Sequence, residues 1–97
     1  TFCPLGPWMV THFSIAEASH RQIVTRLDGR EVQHGNTDQM VHTIPKLISY
    51  ISSFMTLLPG DVILTGTPAG VGPMELGQRV EVEIEGIGTL TNTVVEA

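Results

Sequence analysis

The sequence predicts an α+β domain in which antiparallel strands carry one amphipathic helix. Strand-like residues on either side of Asp28-Gly29 mark a tight hairpin. Leu47, Ile48, Ile51, Phe54, Met55 and Leu58 fall on one face of a helix. Val80, Val82 and Ile84 alternate with Glu81, Glu83 and Glu85, as in a strand buried on one side.

Taken in order, Thr1 to Thr11 opens with Pro4, Gly6 and Pro7, and Trp8-Met9-Val10 is a short strand candidate. The hairpin follows, with arms Gln22 to Leu27 and Arg30 to His34, and stops at Gly35-Asn36. A helical turn is expected from Thr37 to Val41, capped by Asn36 or Thr37. The main helix starts behind Thr43 as cap, because Pro45 fits a first turn where its missing N–H costs nothing. Pro59-Gly60 should end it. Val62-Ile63-Leu64 then reads as a short buried strand. An eight-residue loop, Gly66 to Pro73, carries three glycines and two prolines. The strand around Val80 turns at Gly86-Ile87-Gly88 and returns from Leu90 to Val95. Leu58-Pro59-Gly60-Asp61-Val62 and Leu76-Gly77-Gln78-Arg79-Val80 echo each other as turns into strands, not as a repeat.

Composition narrows the function. At 97 residues and 10.5 kDa the chain holds one small domain. Its net charge of −5 comes without any Lys/Arg cluster, which argues against an extended nucleic-acid or anionic-membrane footprint. The longest apolar stretch, Ile44 to Leu58, is broken by Lys46, Ser49, Ser52 and Ser53, so no membrane span is expected. Ten glycines and only 15% charged residues suggest surface destined for burial against something else. A first residue of Thr1, with no basic or apolar leader, reads as the C-terminal part of something longer or as a processed product. Cys3 is the single cysteine, which excludes an intramolecular disulfide and fits a cytoplasmic protein. It is expected to be a buried or semi-buried thiol. His12, His20, His34 and His42 form no ligand-spaced pair, which leaves no structural zinc site.

Three features invite chemistry. The loop after Leu64 lets backbone N–H groups approach a ligand, and a threonine hydroxyl there can donate to a carboxylate or phosphate. It lacks the Lys-Ser/Thr of a phosphate-binding loop and the third glycine of a dinucleotide fingerprint. A plain connector and a ligand-contacting loop both remain open on these grounds. Glu81, Glu83 and Glu85 could chelate a divalent cation, or form a solvated edge that resists sheet-to-sheet association. Asp28, Asp38 and Asp61 sit at turns or caps, where aspartate serves the backbone.

Several longer words go further: Cys3-Pro4-Leu5-Gly6-Pro7-Trp8, Gly35-Asn36-Thr37, Ile51-Ser52-Ser53-Phe54-Met55-Thr56-Leu57, the run from Pro59 through Thr65-Gly66-Thr67-Pro68 to Pro73, and Val82-Glu83-Ile84-Glu85-Gly86-Ile87-Gly88. In this order they resemble the C-terminal half of the catalytic domain of the fumarylacetoacetate hydrolase family. That family includes acylpyruvate and fumarylpyruvate hydrolases, 2-hydroxyhepta-2,4-diene-1,7-dioate isomerases and related decarboxylases of aromatic catabolism.

The resemblance implies part of a mixed-β fold around Mg²⁺ or Mn²⁺, which holds the 2-oxo end of the substrate and stabilises an enolate. It places the metal-binding acids and an active-site lysine upstream of this region, so no catalytic or metal-binding residue is expected here. Glu81 and Glu83 match a late strand rather than the metal pair. Thr67, with Gly66 beside it, matches the threonine that contacts the substrate carboxylate, and Thr1 matches a position near the ion. A small-molecule oxo-acid partner, no nucleic acid or membrane partner, and a homodimer complete the expectation. Residues 1–97 would then be the C-terminal portion of one catalytic domain, inactive alone. The alternative is a short non-catalytic binding or assembly module that retains half of the fold. In either case the helix stripe exceeds what two hairpins can cover, so the isolated chain should not be a tight monomer.

Overall fold

A computed structural model describes residues 3–97. Ser14 opens the first helix, α1 (Ile15–Ala18), with a reciprocal cap. Its hydroxyl accepts from the Glu17 N–H at 3.1 Å, and its own N–H donates to Glu17 Oε2 at 2.7 Å. That backbone donor, followed by the Ser14 hydroxyl, holds the Glu17 carboxyl below its ordinary pKa.

Strands β1 (Gln22–Leu27) and β2 (Arg30–Asn36) form the expected hairpin. Asp28 (φ 49°) and Gly29 (φ 80°) both take the left-handed conformation that such a two-residue turn demands. Asp28 also reaches outside its hairpin. Its N–H donates to the Arg79 carbonyl at 2.9 Å, and its carboxylate accepts from the Arg79 N–H at 2.8 Å. This clamp sets the start of β3 (Arg79–Ile84), which pairs antiparallel with β1 and then with β4 (Gly88–Thr93). The sheet order is therefore β2-β1-β3-β4. Register slips between Thr25 and Arg26, leaving Val32 of β2 as an extra residue in the ladder.

Ile23, Thr25 and Leu27 lie opposite Ile84, Val82 and Val80, and Leu90 continues this apolar face onto β4. The other face carries charge. Arg26 donates to Glu83 at 2.9 Å, and Arg79 pairs with Glu81 at 3.0 Å. This corrects the expectation of a wet glutamate edge: β3 is an inner strand, and its carboxylates are partnered by arginines. Glu85 lies in the turn beyond β3 and accepts from the Gln22 N–H at 3.2 Å.

The polar turn after β2 is a short 3₁₀ helix, Thr37–Gln39, capped by the Asn36 side chain. Thr37 ties it to α1: its hydroxyl accepts from the Arg21 N–H at 2.9 Å and donates to the Ala18 carbonyl at 2.8 Å. The main helix, α2 (Ile44–Ser52), starts as expected, with Thr43 as cap and Pro45 in the first turn. It ends sooner than its apolar stripe suggests. Ser52 and Ser53 hydroxyls donate back to the Ser49 and Tyr50 carbonyls, at 3.2 and 2.6 Å, and a last turn trails to Met55. Pro59-Gly60 belongs instead to a separate turn, in which Asp61 accepts from the Leu58 N–H at 2.8 Å and returns its own N–H to the Leu58 carbonyl.

Two strand expectations fail. Trp8-Met9-Val10 and Val62-Ile63-Leu64 belong to no strand and pair with none among the described residues. Leu64 is 77% exposed rather than buried. α2 buries none of its residues, and its Ile48 and Tyr50 are exposed. Cys3 is exposed, not buried.

No described side chain is fully buried. The accessible surface is 7403 Å², whereas a compact monomer of this mass exposes about 5,400 Å². Trp8, Met9, Val41, Leu64 and Val71 are among the exposed apolar side chains. The strand residues of the apolar face are half-buried, while Ile48, Phe54, Met55 and Leu58 of the apolar stripe that begins in α2 stay exposed. No helix of the described residues is long and apolar enough to cross a membrane.

Candidate functional site

The glycine-rich loop is seated against the outer strand of the sheet, and one glycine makes that possible. At Gly35, in β2, the Pro68 ring lies at ordinary van der Waals distance, 3.5 Å from where a Cβ would stand. Gly70 (φ 109°) lies so close to β2 that a Cβ there would collide with the Val32 carbonyl oxygen. Val32 is the bulged residue of β2, so the irregular point of the ladder is where the loop docks.

Between these contacts stand Gly66 (φ 90°), Thr67 and Pro68. The half-buried Gln33 side chain holds them, its Nε2 donating to Thr67 Oγ1 at 2.8 Å and to the Pro68 carbonyl at 2.9 Å. Thr67 thus has a fixed position although it is exposed.

Thr65, Gly66, Thr67 and Pro68 form one wall of a groove of about 350 Å³. Ile23 and Gly35 form its floor, and Asn36, Thr37, Gln39, Met40 to His42 and Leu47 close the far side. Gln39 accepts from the Asn36 N–H at 2.9 Å, Asn36 from the Asp38 N–H at 3.0 Å, and Thr37 is engaged with α1. The groove therefore combines an apolar floor with the polar Thr65–Thr67 wall, and no Lys or Arg lines it.

Of the residues singled out for substrate contact, Gly66 and Thr67 share this wall, while Thr1 lies outside the described residues. Sequence reasoning missed Gln33: a polar residue on a hairpin arm is too common to single out, and its reach to Thr67 depends on the bulge beside it.

A metal centre does not fit this chain alone. No group of three or more His, Cys, Asp or Glu stands together among the described residues. Glu81 and Glu83 are engaged with arginines on the charged face of the sheet, the face opposite Ile23 and the groove.

The four-stranded antiparallel sheet thus docks a Gly-Thr-Pro loop on its outer strand, beside a groove. The chain belongs to the fumarylacetoacetate hydrolase family: residues 1–95 match its C-terminal domain, described as Fumarylacetoacetate (FAA) hydrolase C-terminal. The structure of a 5-carboxymethyl-2-hydroxymuconate delta-isomerase from Mycobacterium smegmatis superimposes with a TM-score of 0.92 at 51% identity, covering 99% of this chain and 37% of that one. A maleylpyruvate hydrolase from Sphingobium sp. SYK-6, in complex with manganese(II) and pyruvate, gives 0.91 at 38% identity, over 97% of this chain and 36% of the other. Human mitochondrial oxaloacetate tautomerase FAHD2A is 48% identical over 102 residues, 98% of this chain and 32% of its own length. The chain thus spans about a third of the length of the relatives it matches.

Proposed function

We propose that this chain is the C-terminal portion of a single catalytic domain in a longer, divalent-metal-dependent enzyme acting on 2-oxo or 2-hydroxy-enoic dicarboxylic acids. The reaction is C–C hydrolysis of an acylpyruvate, or isomerisation or decarboxylation of a related acid. The observation that carries this is the fixed Thr67 hydroxyl on the groove wall, in a family where a hydrolase binds manganese and pyruvate. Carboxylate and phosphate ligands alike need donors. A groove without Lys or Arg suits a carboxylate whose charge is balanced by a cation brought from elsewhere.

The part of the work assigned to this chain is orientation. Gly66 permits close backbone approach, and the Thr67 hydroxyl donates to one carboxylate oxygen, a bond to a charged group of about 1.5–3 kcal/mol. The Mg²⁺ or Mn²⁺ ligands and the proton-transfer groups are assigned to the remainder of the protein, and Thr1 to the surroundings of the ion. When bound, the ion would supply Lewis acidity to the 2-oxo group. A homodimer in the cytoplasm is the proposed setting, with the open apolar surface covered by the rest of the protein.

Assay of the complete protein with oxaloacetate and with acylpyruvates, with Mn²⁺ or Mg²⁺ and then with chelator, tests the proposal. Turnover that depends on the ion supports it. A natural polypeptide about three times as long as this chain is also required. A natural polypeptide near 10 kDa that turns over no 2-oxo acid would establish the binding or assembly module instead.

A further inference from the structure

We propose that Gln33 is a positioning residue that makes the Thr67 hydroxyl an obligate donor toward the groove. The proposal rests on the reading of Thr67 as the carboxylate contact and adds what sets its polarity.

The chemistry of the neighbours decides the orientation of the amide. A proline carbonyl can only accept, so the end of Gln33 that lies 2.9 Å from the Pro68 oxygen must be the NH₂ group. The same nitrogen lies 2.8 Å from Thr67 Oγ1. Its two hydrogens are therefore both committed, one to each loop oxygen. An amide nitrogen has no lone pair to accept with, so the Thr67 hydrogen cannot return along that bond. It must point to another acceptor.

Place reinforces polarity. Gln33 lines a second groove, of about 680 Å³, whereas Thr67 lines the first, so the amide that donates to Thr67 does not itself line the groove into which the hydroxyl donates. Donation into Oγ1 also polarises the O–H bond and strengthens its own donation. A carboxylate oxygen is the acceptor this arrangement selects. Two bonds from one nitrogen brace consecutive residues, so the hydroxyl is held in place as well as in polarity.

The test uses the complete protein loaded with Mn²⁺, with pyruvate binding measured by calorimetry alongside steady-state kinetics. Gln33→Glu presents only acceptors, so it captures the Thr67 hydrogen and repels the Pro68 carbonyl. Pyruvate affinity and kcat/KM should fall by about 10- to 150-fold, as in Thr67→Val. The loss should appear in KM, with kcat and manganese affinity nearly unchanged. Gln33→Met keeps the bulk and should lose about 3- to 10-fold, because a neutral bond is worth less. It carries the test if the charged variant fails to fold.

In the double variant Gln33→Met/Thr67→Val the loss should be no greater than in Thr67→Val alone, because Gln33 acts through Thr67. Two results overturn the proposal while leaving the site intact: a damaging Thr67→Val beside Gln33 variants of wild-type affinity, or Gln33 and Thr67 losses that simply add. A Thr67→Val variant with wild-type affinity would instead remove the carboxylate contact itself, and Gln33's role with it.

Discussion

The carbonyl oxygen of Val32 occupies the space where a side chain at residue 70 would begin. Gly70→Ala must therefore push the loop off the sheet, and at φ 109° it strains the backbone as well. A displacement of about 1 Å at a positioning group can cost 100-fold in rate, so kcat/KM of the complete protein should fall by at least about tenfold. Gly60→Ala (φ 94°) is the control for strain alone, since residue 60 lies outside the groove and nothing stands within 4 Å of a Cβ there. It should lose about 1–2 kcal/mol of stability, readable as a lower denaturation midpoint.

Asp28 serves two turns at once, and its removal should show that. Asp28→Ala loses a residue tolerant of positive φ together with the acceptor for the Arg79 N–H. Urea unfolding of the complete protein should lose about 1–3 kcal/mol. Asp28→Asn, which keeps both properties, should lose less than half of that.

Hairpins and caps were legible because their causes are local. Asp28-Gly29 names its turn type, and Thr43 with Pro45 names a helix start. The end of α2 was not, because the apolar stripe runs on to Leu58 while the Ser52 and Ser53 hydroxyls take up the carbonyls of the last turn. Val62-Ile63-Leu64 has the composition of a buried strand, but a strand also needs a neighbour, which its own residues do not specify. At the site, Gly66 and Thr67 could be singled out by motif. Gln33 could not, since a contact across 34 positions depends on the register slip at Val32.

Glu81 and Glu83 should prove structural. Replacing both with Gln should leave manganese affinity of the complete protein within about threefold, because partly exposed ion pairs contribute only about 0–1 kcal/mol. Calorimetric titration checks this, and a hundredfold weakening would place the metal site here after all.

The exposed apolar side chains of the loops and of the stripe beginning in α2 have a direct consequence in solution. Expressed alone, residues 1–97 should self-associate or bind a hydrophobic dye strongly, since exposed patches of this extent mark missing contacts. Sedimentation at several concentrations reads the outcome. A monomer with a sharp, concentration-independent melt would contradict the picture of an open apolar surface.

The measurement closest to the central claim is kcat/KM of Thr67→Val in the complete, metal-loaded protein with a 2-oxo-acid substrate. Valine keeps the shape of threonine and removes the donor that Gln33 directs into the groove. A loss of about 10- to 150-fold is predicted, with metal affinity and melting temperature near wild type. Turnover at the wild-type rate and affinity would show that the loop is only a connector, and the assignment of a substrate site to this chain would be wrong.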